Sequence, residues 1–192
     1  YKNYKNYNYF KGLLTIRYAI ESSQNIPMLK AIQVVGVDNS LKFLKSLGFS
    51  HLDDEKDNNI GIALGGLTNG ATPLEMAAAY GAIANDGVYI EPTFYTKVVD
   101  GNGNTVFEPK QESRTVMSAS AAYVVKEVLT QPVKSGTSTT LAMSGMSVAA
   151  KTGTTNNDYD RWMCGFTPYY SAAVWYGYDK SETVSGWSLS PA

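Results

Sequence analysis

Two short clusters carry the side chains whose types and spacing could do chemistry. Lys151-Thr152-Gly153 follows the apolar Val148-Ala149-Ala150 and runs on into Thr154 and Thr155. A lysine beside a glycine in a strand, flanked by hydroxyls, suits a sheet edge that adds an extended peptide. The glycine lets a backbone approach closely, and the ammonium and hydroxyls can hold a carboxylate by charge-assisted hydrogen bonds. Ser23-Gln24-Asn25 stands at a predicted helix end just before Pro27 and offers a hydroxyl and an amide. Taken singly, each cluster has a plainer reading: a strand end with a lysine reaching for solvent, and polar residues where a helix stops.

Other chemistries find less support. His51 is the sole histidine and lies in a polar loop with no nucleophile beside it, so it reads as a surface residue rather than part of a Ser-His-Asp triad. Cys164, the sole cysteine, sits between Met163 and Gly165 in a predicted strand and reads as a buried thiol. One cysteine and one histidine make no zinc cluster, and no metal or organic cofactor is implied. The glycine-rich stretch 61–70 lacks the Gly-Lys-Ser/Thr ending of a phosphate loop.

The elements that must position these clusters follow from the punctuation. Thr15 caps a helix over about 15–24 that carries Ile16, Ala19 and Ile20 on one face. Pro27 starts a second helix, which ends at Gly36. Asp38 caps a third, through Leu41, Leu44 and Leu47, stopped by Gly48. Residues 50–71 read as irregular. Thr72-Pro73-Leu74-Glu75 is a capping box for a helix of small residues, Ala77, Ala78, Ala79 and Ala82, against which something packs closely. Residues 93–99 alternate as a strand and pair through the turn Asp100-Gly101-Asn102-Gly103 with Thr105-Val106-Phe107. A helix over 118–130 is followed by a Ser/Thr-rich loop and three strands, 146–155, 161–167 and 171–178. Mostly helix and then an antiparallel meander is an α+β pattern, an antiparallel sheet packed with helices. The Tyr/Asn/Lys tract at 1–10 reads as loop.

With 192 residues, 44% hydrophobic and 17% charged, the chain is one globular domain or part of a larger one, not a disordered or fibrous protein. A net charge of -1 gives no argument for nucleic acid as a partner. No apolar run reaches the roughly 20 residues needed to span a bilayer, so any membrane anchor lies outside this chain.

A Ser-x-Asn element paired with a downstream Lys-Thr-Gly occurs in serine β-lactamases and penicillin-binding proteins. The likeness extends over much of the chain. Leu14-Thr15-Ile16-Arg17-Tyr18-Ala19-Ile20 leads into Ser23-Gln24-Asn25-Ile26-Pro27. The centre carries Ala63-Leu64-Gly65-Gly66, Thr72-Pro73-Leu74-Glu75-Met76 and Asn85-Asp86-Gly87-Val88-Tyr89. The last strands carry Trp162, Gly165-Phe166-Thr167-Pro168, Ala173-Val174-Trp175 and Gly177-Tyr178-Asp179. On these residues the chain resembles the transpeptidase domain of a bacterial class A penicillin-binding protein. The resemblance implies D-alanyl-D-alanine transpeptidation in peptidoglycan cross-linking, with stem peptides as substrates, β-lactams as acylating inhibitors, and a place on the outer face of the cytoplasmic membrane.

By the same resemblance Ser23 relays protons near the leaving group, and Lys151 supplies positive charge and supports proton transfer. Asn25 binds the substrate amide, Thr152 and Thr154 bind the terminal carboxylate, and Gly153 lets substrate lie against the strand. The Thr154 backbone N–H forms half of the oxyanion hole. In one respect the sequence departs from the pattern: no serine among the 192 residues has a lysine three positions later, so the Ser-x-x-Lys nucleophile motif is missing. The expectation is therefore an internal, partial transpeptidase domain, lacking that motif and a C-terminal covering helix, inert to penicillin by itself and unstable through an uncovered sheet face. Two alternatives stay open. One is a serine β-lactamase, which needs a deacylating glutamate between the two motifs, where Glu55 lies in a loop. The other is a non-catalytic sensor or scaffold that binds wall peptides.

Overall fold

The computed structural model describes residues 12–184; the tract at 1–10 lies outside them. Thr15 caps α1 (Ile16–Glu21) through its side chain, which accepts from the Tyr18 N–H. The helix stops three residues before the expected end because the backbone at Ser23 turns left-handed, with φ 54°. α2 (Asn25–Val35) starts two residues before Pro27. The proline occupies the third helical position instead of the first, which costs no bond because the first-turn N–H groups have no intrahelical acceptor. α3 (Val37–Ser46) is capped by Gly36 rather than Asp38. Asp38 instead lies in the first turn and accepts from the Asn58 side chain at 3.0 Å. Gly48 does end this helix, at φ 87°, and a Cβ there would run into the Tyr89 ring.

The stretch 50–71 holds a 3₁₀ turn (Ile60–Leu64) and is organised by a buried carboxylate. Asp57, 1% exposed, accepts from the Asp53 N–H and from both the N–H and hydroxyl of Thr68, at 2.6–2.9 Å. Burial pushes its carboxyl up, but the hydrogen bonds outweigh this and hold it below the usual range.

The capping box before α4 (Pro73–Ala84) is formed in both directions between Thr72 and Glu75. Glu75 Oε1 also accepts from the Ser50 N–H and hydroxyl at 2.8 and 2.9 Å. Burial raises the Glu75 carboxyl, but these bonds win and bring it down to about 2. β1 (Val88–Ile90) pairs with β4 (Ser113–Thr115), a pairing the alternation of residues did not disclose. Between them β2 (Val98–Val99) pairs with β3 (Thr105–Phe107), and Asp100 Oδ1 holds the turn by accepting from the Asn102 and Asn104 N–H groups. The expected strand at 93–99 shrinks to two residues. At 93–95 the Thr93 hydroxyl donates to the Tyr95 carbonyl, a local bond that competes with a ladder.

α5 (Ala119–Lys134) is capped by Ser118 and runs four residues past its expected end, through Pro132. Leu129, Thr130, Pro132 and Val133 are all buried there, so packing outweighs the hydrogen bond a proline removes from a helix. β5 (Ala149–Thr154), β6 (Asp160–Phe166) and β7 (Ser171–Gly177) form the expected antiparallel meander in the order β5-β6-β7. β5 starts at 149 rather than 146, because Met143 and Met146 bridge around a Ser144-Gly145 turn.

Helices cover one face of this sheet: α5 packs on β5, α4 on β6 and β7, and α1 on α5. Leu129, Ala149 and Phe166 form a core there, with Tyr80 from α4 placing its ring 6.4 Å from that of Phe166. The small residues of α4 serve this approach: a Cβ on Gly81 would stand 3.1 Å from Ser171 Oγ. On the opposite face Val174 and Tyr176 are 53% and 43% exposed. The architecture is α+β, as expected.

Candidate active site

Ser23 is presented by a Schellman turn. The Gln24 N–H donates to the Ala19 carbonyl and the Ser23 N–H to Ile20, while Ser22 caps α1. The same turn closes α3, with Phe49 bonded to Leu44 and Gly48 to Lys45. There the left-handed position is glycine; here it is serine, at a cost of about 1 kcal/mol. What the serine adds is its hydroxyl, which reaches across to β5.

Lys151 Nζ donates to Ser23 Oγ at 2.8 Å and to the Thr152 carbonyl at 2.8 Å. No carboxylate among the described residues pairs with it. Burial pulls its amine down to about 8, because desolvation disfavours the charged form. A neutral amine is thus within reach near physiological pH. Ser23 Oγ, accepting from the lysine, keeps its own proton to give elsewhere. Such a pair can pass a proton between two reacting atoms. Asn25, the third residue of the upstream cluster, opens α2 two positions on.

Strand alternation then sorts the downstream cluster. The ladder between β5 and β6 is regular from Ala149↔Phe166 to Thr154↔Arg161. Lys151 and Gly153 therefore face the helices, and Thr152 and Thr154 the other side. The two threonines line a cleft of about 120 Å³ with Thr137, Arg161, Trp162 and Tyr176. Thr152 Oγ1 is committed there, donating to Thr137 Oγ1 at 3.2 Å.

β5 is an edge strand among the described residues. The Thr155 N–H donates to the Asp160 carbonyl of the neighbouring strand, and in an antiparallel pair inward and outward groups alternate. The N–H groups of Thr152 and Thr154 and the Thr152 carbonyl therefore point to the open edge. Lys151 Nζ bends to that same edge to reach the carbonyl. The open edge thus carries the Thr152 carbonyl that the lysine reaches and the Thr154 N–H, with the threonine hydroxyls on its cleft side. A Cβ on Gly153 would stand 3.3 Å from the Trp162 Cβ, tight for any side chain.

The remaining sequence candidates lie elsewhere. His51 is exposed, and its ring hydrogen-bonds Ser50 at 3.0 Å and faces Glu75 at 3.3 Å. Cys164 is buried in β6, and burial raises its thiol to about 11, so it is inert. Glu55 is an exposed turn residue whose N–H donates to Asp53. Sequence reasoning missed the turn at 135–137, which touches both α1 and β5; its only signal was a Ser/Thr-rich loop.

A half-buried serine–lysine pair at the open edge of a helix-covered antiparallel sheet can pass protons beside a peptide laid along that edge. Residues 1–190 match the family described as Penicillin binding protein transpeptidase domain, and the chain belongs to that family. It is 38% identical over 178 residues to penicillin-binding protein 1A of Clostridium botulinum, covering 92% of this chain and 22% of that protein. It is 37% identical over 187 residues to penicillin-binding protein 1A/1B of Bacillus subtilis, covering 90% of this chain and 20% of that one. The crystal structure of penicillin-binding protein 1A from Haemophilus influenzae superimposes with a TM-score of 0.79 at 25% identity, covering 96% of this chain and 32% of that one. The chain spans about a fifth of the length of the curated relatives it matches.

Proposed function

We propose that the protein containing this chain is a D-alanyl-D-alanine transpeptidase that cross-links peptidoglycan on the outer face of the cytoplasmic membrane, and that β-lactams acylate it. The observation that carries the reading is the 2.8 Å contact between Lys151 Nζ and Ser23 Oγ, which joins two clusters 128 positions apart in the sequence. Family membership supports it.

In this reading the stem peptide lies along the open edge of β5. A serine from a Ser-x-x-Lys motif outside these 192 residues attacks the carbonyl carbon of the penultimate D-alanine, its hydroxyl proton passing to the lysine of that motif. The Thr154 N–H supplies one donor to the developing oxyanion. The C–N bond breaks, and the departing D-alanine nitrogen takes its proton through Ser23, recharged by Lys151. The terminal carboxylate is held at the edge by Lys151 and the Thr154 hydroxyl, the Thr152 hydroxyl being given to Thr137, with Gly153 leaving room for the peptide and Asn25 bonding its amide. An amine of a second stem peptide then attacks the ester, the serine C–O bond breaks, and the serine regains its proton.

The test is peptide mapping of the full-length protein after labelling with fluorescent penicillin. The expected result is one acylated serine, followed three residues later by lysine and lying outside residues 1–192. Acylation should fall by about 10²-fold or more in Ser23→Ala and Lys151→Ala. An unlabelled wild type, or label on Ser23 itself, overturns the reading.

A further inference from the structure

The serine and lysine of the pair sit on different elements, so something must fix their separation. Three consecutive residues contact the flanks of both. Ser135 Oγ donates to Glu21 Oε1 at 2.7 Å, two residues before Ser23. Gly136 lies flush against the last turn of α1, where a Cβ would overlap the Glu21 carbonyl oxygen and the Pro132 Cα. Thr137 Oγ1 accepts from Thr152 Oγ1 at 3.2 Å, one residue after Lys151. The turn is itself pinned to the end of α5, because the Gly136 and Ser138 N–H groups both donate to the Pro132 carbonyl, at 3.1 and 2.9 Å.

We infer that the turn Ser135-Gly136-Thr137 is a positioning device that sets the contact between Ser23 and Lys151, holding the end of α1 with its first two residues and β5 with its third. Among the described residues, none of the three hydrogen-bonds to Ser23 Oγ or Lys151 Nζ. They act through Glu21 and Thr152. Any thickening at Gly136 moves the α1 end outward and carries the Schellman turn with it. Losing the Thr137 hydroxyl frees the side chain that tethers the strand next to the lysine. Either change lets water reach an amine that is now desolvated. The geometry accounts for glycine at 136 without any special backbone angle: the reason is space. The inference rests on the proposed function only in what the pair is for, not in how it is held.

The test uses the full-length protein labelled with 13Cε-lysine, with the Lys151 resonance assigned by its loss in Lys151→Met. In wild type the signal titrates well below an ordinary lysine. In Gly136→Ala and Thr137→Val the midpoint moves up by about one unit, a tenfold gain in proton affinity, while Thr137→Ser, which keeps the hydroxyl, stays at the wild-type value. The first-order rate of penicillin acylation falls by about tenfold in the first two variants, and the concentration for half-saturation changes little. An unchanged Lys151 midpoint in folded Thr137→Val overturns the inference, and because that variant is isosteric it decides alone if Gly136→Ala does not fold. An equal shift in Gly81→Ala, which loosens α4 against β7 instead, also overturns it by showing general loosening. A wild type that is not acylated by penicillin counts against the proposed function, and the titration still decides the positioning role.

Discussion

At the scale of single residues, position 23 sets stability against function. A left-handed backbone favours glycine, yet the residue is serine and its hydroxyl is the acceptor for Lys151. Ser23→Gly and Ser23→Ala should lose acylation alike, but the glycine variant should be the more stable of the two by about 1 kcal/mol. Chemical unfolding of the two variants side by side checks this, and equal stability would show that the turn relaxes. Lys151 has its own signature in pH. Its amine releases its proton near 8 in the fold and near 10.5 when unfolded, so between those values the unfolded chain binds more protons. The burial penalty is full below about 8 and is relieved as pH rises towards 10.5, so its contribution makes stability rise over that window. Lys151→Met should remove that rise in unfolding curves taken across it. Acylation by penicillin should show a limb with an apparent pKa close to 8, absent from the same variant. The residue types at this pair were legible in the sequence as two tripeptides. Their meeting was not, because nothing local to either encodes a contact across 128 positions.

At the scale of elements, Glu75 does two jobs. It completes the capping box of α4 and accepts from Ser50, tying the segment after α3 to the helix that backs the sheet. Its carboxyl is lowered from 4.5 to about 2. It therefore stabilises the fold fully above about 4.5, and that contribution is lost as pH falls towards 2. The amount is about 3 kcal/mol. Glu75→Gln should lower stability at pH 7 by a comparable amount and flatten the acid dependence, as followed by urea unfolding at several pH values. The capping box could be read directly, since its chemistry lies within four consecutive residues. The bonds from Ser50 could not, and neither could the burial of Asp57, because both depend on where an irregular loop returns. Helix ends show the same division. Gly48 stops α3 as its residue type demands, whereas α5 continues through Pro132 because buried neighbours on α1 and β5 outweigh a local rule.

At the scale of the whole molecule, one sheet face is covered by α4 and α5, and the other carries exposed Val174 and Tyr176. Close packing of α4 on β7 depends on Gly81, whose Cβ position meets Ser171. Gly81→Leu should cost about 1 to 3 kcal/mol through overpacking, read as a lower unfolding midpoint. Its effect on the rate of acylation should be smaller than that of Ser23→Ala, because α4 backs the far strands and β5 carries the pair. For the 192-residue chain itself, intact mass after incubation with excess penicillin should show no adduct, since no serine here is followed by lysine at the third position. A stoichiometric adduct on a folded chain would require a nucleophile within these residues and a different mechanism.

What the sequence determined by itself is what short-range chemistry encodes. That covers the helix caps at Thr15 and Thr72, the glycine stop at 48, the three-strand meander, and the two tripeptides with the family resemblance they carry. The tertiary structure alone decided that Ser23 and Lys151 are in contact, that Thr152 turns away to Thr137, and that a three-residue turn touches both α1 and β5. Caps and turns draw their energy from bonds within a few residues, so residue types suffice to predict them. Contacts between elements are settled by burial and by which side chains fit together, and those exist only once the chain has folded.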